Sequence, residues 1–125
     1  MMHISLLDND LPALSITTED GDTLRFEFHP RLTRDEMSSI MVRNGTGKDS
    51  VEVPSFQRIA RKCIRSIEGV TLTTKDGTVH GPDPIQKPGV ISALFNDIRF
   101  PQDVVSSVVE HVMDSNQLDV DEGND

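Results

Sequence analysis

The chain has 125 residues, a length that fits one domain with a core of its own. It is 35% apolar and 26% charged, with five Phe, no Trp and no Tyr, so a thin core of Val, Ile, Leu and Met is expected. The net charge of −9 argues against a nucleic-acid backbone as partner, and a single cysteine excludes an internal disulfide and any Cys-rich zinc site.

The charge is unevenly placed. Glu110, Asp114, Asp119, Asp121, Glu122 and Asp125 close the chain without a Lys or Arg among them, while the preceding residues are nearly balanced. Met1 to Leu11 has neither a basic leader nor a long apolar run, and no stretch approaches the length of a membrane span. A cytoplasmic protein that does not enter the membrane is the expectation.

In chain order, residues 13–29 predict a β-hairpin. Leu14 and Ile16 alternate with polar neighbours, as do Leu24, Phe26 and Phe28, around a Glu19-Asp20-Gly21-Asp22 turn. Thr33 and Glu36 form a capping box with Leu32 and Met37 as its hydrophobic staple, which predicts a helix from about Arg34 to Arg43 ending at Asn44-Gly45. A flexible loop from Asn44 to Ser50 follows. Pro54 and Ser55 open the clearest amphipathic pattern. Phe56, Ile59, Ala60, Cys63, Ile64 and Ile67 recur every three or four residues, predicting one helix closed by Gly69.

Val70–Thr74 and Thr78–His80 flank Asp76-Gly77 and predict a second, shorter hairpin. Pro88 suits the first turn of a helix whose apolar face carries Val90, Ile91, Leu94, Phe95 and Ile98. Pro101 starts a last helix with Val104, Val105, Val108, Val109, Val112 and Met113 on its stripe, and its period outweighs the low helix propensity of valine. The expected architecture is α+β: two hairpins against three to four short helices over residues 1–115, then an acidic disordered tail over 116–125.

Reactive groups do not converge in the sequence. Asn44-Gly45-Thr46-Gly47-Lys48 suggests a phosphate loop, yet Val42 and Asp49 stand where that loop requires Gly and Ser or Thr. His3, His29, His80 and His111 lack the spacing of a metal site, and Asp20 and Asp22 lack the rest of a calcium loop. Cys63 falls on the apolar stripe and is read as a small hydrophobe, and Asp35 and Glu36 belong to a helix start. No catalytic residue, cofactor or metal is expected, so a small hydrolase or nucleotide-binding regulator is the least favoured of the readings. What remains is a cationic surface, Arg58, Arg61, Lys62 and Arg65, which is either a solvated helix face or a docking site for an acidic segment. That segment belongs to a partner or to the chain's own end.

Three runs taken in this order carry a family resemblance: Leu24-Arg25-Phe26-Glu27-Phe28 leading into Leu32-Thr33-Arg34-Asp35-Glu36, then Cys63-Ile64-Arg65-Ser66-Ile67-Glu68-Gly69-Val70, then Asp76-Gly77-Thr78. The arrangement resembles the small tail-assembly proteins of tailed bacteriophages, particularly tail assembly chaperones. Many of those carry Trp where this chain has Ile67. The resemblance implies a non-enzymatic protein of the host cytoplasm that binds tape measure, tube or baseplate subunits during tail morphogenesis. The alternative is a permanent virion subunit of the baseplate, neck or tail-completion type, with the Val-rich last helix packing between copies in a homo-oligomer.

Overall fold

The computed structural model describes residues 2–3 and 10–123, those from 117 on by backbone alone. The first hairpin is as expected: β1 (Leu14–Thr17) pairs antiparallel with β2 (Thr23–Phe28), with Leu14 opposite Phe26 and Thr17 opposite Thr23. Gly21 turns the loop with a φ of 90°, where a residue without a Cβ is favoured. Alternation sends Leu24, Phe26 and Phe28 into the core and leaves Arg25 outside.

The third strand of this sheet comes from residues the sequence places in a helix. α2 (Phe56–Lys62) starts at Ser55, whose hydroxyl accepts the Arg58 amide, but it stops at Cys63. The chain then enters β5 (Ile64–Glu68), which pairs antiparallel with β2, so the sheet order is β1-β2-β5. Glu27 stands opposite Ser66 and Phe28 opposite Ile64, which leaves Arg65 as the extra residue of a bulge. Because of that bulge, Ile64 and Ile67, three apart, are both buried beside β2. A bulged strand thereby mimics the spacing of a helix. The open edge of β2 decides the matter, since its backbone groups find partners in β5 that a longer helix would deny them. Beyond β5, Ile67 and Ile85 exchange both backbone hydrogen bonds, at 3.0 and 2.9 Å.

The first helix is also shorter than expected. α1 (Arg34–Ser39) begins with the capping box, Thr33 Oγ1 accepting the Glu36 amide at 3.2 Å and Glu36 Oε1 accepting the Thr33 amide at 3.0 Å. It ends at Ile40, which is fully buried, and residues expected to continue it form β3 (Met41–Asn44). Its partner is β4 (Val51–Pro54), in register Met41 with Pro54 and Asn44 with Val51. Met41, Val42, Val51 and Val53 favour an extended pair, and so short a helix has little intrinsic stability to resist them. The expected loop between Asn44 and Ser50 is thus the connection of an unforeseen hairpin, holding one 3-10 turn at Gly47–Asp49.

The second expected hairpin is present as β6 (Leu72–Thr73) and β7 (Val79–His80), around Asp76 and Gly77. α3 (Pro88–Asn96) takes Pro88 at its first turn and buries Ile91, Leu94 and Phe95. Ile98 was expected on that face and is instead 100% exposed, because the helix ends before it. α4 (Gln102–Gly123) buries Val104, Val105, Val108 and Val112. Its backbone runs helical through most of the stretch expected to be a disordered tail, and only Asn124 and Asp125 of that stretch lie wholly outside the described residues. Asn116, expected to begin the tail, is tied to the body: its Oδ1 accepts the Leu32 amide at 2.8 Å and its Nδ2 donates to the Val112 carbonyl at 2.8 Å.

The result is an α+β architecture in which α2, α3 and α4 close over the three-stranded sheet. Phe26 meets Phe95 edge-on at 6.4 Å, and Phe95 stacks on Phe100 at 5.5 Å. Aliphatic side chains fill most of the core, while Met37, Met41 and Met113 sit half-buried at its margin. No helix among the described residues is long and apolar enough to cross a membrane.

Candidate partner-binding surface

Of the four cations singled out in the sequence, three lie on α2 and one does not. Arg58, Arg61 and Lys62 are three and four residues apart on a helix, so they share a face, and all are exposed. Arg65 is exposed too, but it leaves the bulge of β5. The continuous basic helix surface expected from Arg58 to Arg65 is therefore divided between two elements.

The four also differ in what they touch. Arg58 donates from Nη1 to the carbonyls of Met41 at 2.9 Å and Ser39 at 3.3 Å, tying the end of α1 and the start of β3 to α2. Lys62 faces Glu36, whose carboxyl is held below its ordinary range first by the Thr33 amide and hydroxyl and then by this lysine. Arg65 lies beside His29, whose imidazole is lowered by partial burial and by that guanidinium. Arg61 has no hydrogen bond or ion pair among the described residues. It is the most available cation of the set.

Two apolar side chains that sequence reasoning did not assign to a surface are exposed on α2 and β4, Phe56 on the side of α2 away from the cations. Phe56, expected on the buried stripe, is 38% exposed at the start of α2, and Val51 is 58% exposed on β4. The signal for Phe56 was its place directly after the N-cap, where a helix has not yet turned its apolar side to the core. Val51 gave no signal without knowledge of the β3–β4 pairing. That hairpin is a two-stranded sheet, so each strand carries one unpaired edge.

The remaining candidates do not assemble. Cys63 is buried, and burial, with Glu36 adding and Lys62 opposing, pushes its thiol up to about 11. Such a thiol stays protonated and is a poor nucleophile at neutral pH. His111 is held by the Pro12 carbonyl at 2.8 Å and lies against the Phe28 ring. Among the described residues no three His, Cys, Asp or Glu side chains are placed to hold a metal ion. Asp35 and Glu36 sit in the first turn of α1, with Glu36 engaged in the capping box. Lys48 lies in the exposed 3-10 turn of the β3–β4 connection. Open grooves gather instead around the β6–β7 hairpin, one of about 490 Å³ lined by Thr74, Asp76, His80 and Lys87, another of about 390 Å³ beside Leu72 and Phe100.

No protein-family model, curated protein or solved structure matches the chain.

Proposed function

We propose that this protein is a non-enzymatic binding factor of bacteriophage tail morphogenesis, acting as a tail assembly chaperone does on a tape measure or tube subunit in the host cytoplasm. One observation carries the binding part: Arg61 and Lys62 stand exposed on the outer side of α2, and Arg61 has no hydrogen bond or ion pair among the described residues. Exposed cations on one helix face suit an acidic segment, whose approach and orientation they favour. The phage context rests on the resemblance of the three sequence runs named above. Its Ile67-Glu68-Gly69-Val70 run falls at the end of β5, where Ile67 is buried and Gly69 has a φ of 95°, which favours a structural task for these residues over a contact role.

The virion-subunit alternative drew on the Val-rich helix as a surface between copies. Val104, Val105, Val108 and Val112 are at most 3% exposed, and Val109 and Met113 of the same stripe are half-buried, so little of that stripe is left for a neighbour. The chaperone reading is the better supported one.

Co-expression with the tape measure and tube proteins tests it. A co-purifying complex is expected, and replacing Arg61 and Lys62 together by Glu should weaken it about tenfold or more while leaving the melting temperature unchanged. A chain that stays alone with every tail component overturns the proposal. Mass spectrometry of purified particles should find the protein absent, and its presence at a fixed copy number would favour the virion subunit.

A further inference from the structure

Ile98 is the largest departure from ordinary surface chemistry in this chain. It is 100% exposed, between the end of α3 and the start of α4. A single exposed aliphatic residue is common, but this one is held in place. Asp97 Oδ1 accepts the Arg99 amide at 2.9 Å and its Nε at 2.9 Å, and Asp97 Oδ2 accepts Nη2 at 2.8 Å. The two flanking side chains therefore clasp the turn and fix the isoleucine outward. Asp97 is pulled far below the ordinary carboxylate range, chiefly by the Arg99 side chain, so the clasp persists at any physiological pH.

Directly beside this knob lies the open groove of about 390 Å³, walled by Val70, Leu72, Leu94 and Phe100 and rimmed by Asp97 and Arg99. A knob and a groove that adjoin on one molecule are mutually complementary across a two-fold axis, and such a contact closes after two copies. The rim charges obey the same symmetry. One acid and one base astride the knob place Asp97 of each copy toward Arg99 of the other. Both keep capacity for this, since a carboxylate accepts about four hydrogen bonds and a guanidinium donates five, and the clasp uses three of the former and two of the latter.

We infer that the protein self-associates through this face, Ile98 of each copy entering the Val70–Leu72–Leu94–Phe100 groove of the other with Asp97 and Arg99 paired across the axis. The face involves α3 and the β6–β7 hairpin rather than α2, so the inference is independent of the partner-binding proposal and stands or falls separately.

Sedimentation equilibrium of the full chain should give a reversible dimer. Ile98→Asp should raise its dissociation constant about thirtyfold, without loss of melting temperature attributable to the monomer. Asp97→Arg and Arg99→Asp should each be monomeric alone, because like charges then face each other, and an equimolar mixture of the two should recover the dimer. A wild-type chain that remains monomeric, a dimer indifferent to Ile98→Asp, or a mixture that does not recover association would each overturn the inference.

Discussion

Gly69 leaves β5 with a φ of 95°, and a Cβ built there collides with the carbonyl oxygen of Thr23 on the neighbouring strand. Gly77 has a similar φ of 87° but nothing within reach of an added Cβ. Gly77→Ala should therefore cost about 1 kcal/mol from the left-handed backbone alone, whereas Gly69→Ala should cost about 2–4 kcal/mol because β2 must also move. Urea unfolding monitored at constant m-value checks the difference. Equal costs would mean that β2 yields freely. Cys63 supplies a second expectation at this scale. Its folded thiol ionises near 11, above the ordinary 9.0, so stability should be complete below about pH 9 and fall as pH rises from there toward 11. Over that range the unfolded chain gives up a proton that the folded chain retains. A thiol reagent at neutral pH should label the unfolded protein and leave the native one nearly untouched, which follows unfolding directly.

At the scale of elements, the instructive segment is Phe56 to Glu68. Its apolar residues satisfy a helical period throughout, yet the chain is helical only to Lys62 and extended from Ile64. The period could not separate the two, because the bulge at Arg65 places residues three apart on one side of a strand. Side-chain truncation reads the difference. Ile67→Ala should cost about 2–5 kcal/mol, since Ile67 is fully buried opposite Phe26, while Arg65→Ala should change stability by less than about 0.5 kcal/mol. The first hairpin, the capping box, the Asp76-Gly77 turn and the start of α3 were all legible, because each rests on contacts within a few residues. The β3–β4 hairpin was not. Met41 and Val42 continue an apparent helix until Pro54 and Val53, their partners, arrive more than ten residues later.

For the molecule as a whole, the partition of charge explains why the candidate site was only half visible. Four cations within eight residues are conspicuous in a chain of net charge −9. Yet Arg58 is committed to two backbone carbonyls and Lys62 faces Glu36, so the set is not uniformly available. If an acidic partner docks on α2, complex formation should weaken steeply as salt is raised from low to physiological strength, most of the change appearing in the association rate. Binding insensitive to salt would shift the weight to Phe56 and Val51. The self-association proposed for the Ile98 face should respond differently, because its central contact is apolar, and moderate salt should leave most of it in place.

By itself the sequence determined which residues turn the chain, cap the helices and fill the core, since side-chain shape and local hydrogen bonding decide those choices within a turn or two. Only the tertiary structure decided where α1 and α2 end, which face Ile98 takes, and which of the basic side chains remain free. Those outcomes depend on the unpaired edge of β2, on a strand ten residues downstream and on carbonyls of another element, none of which has a local signature.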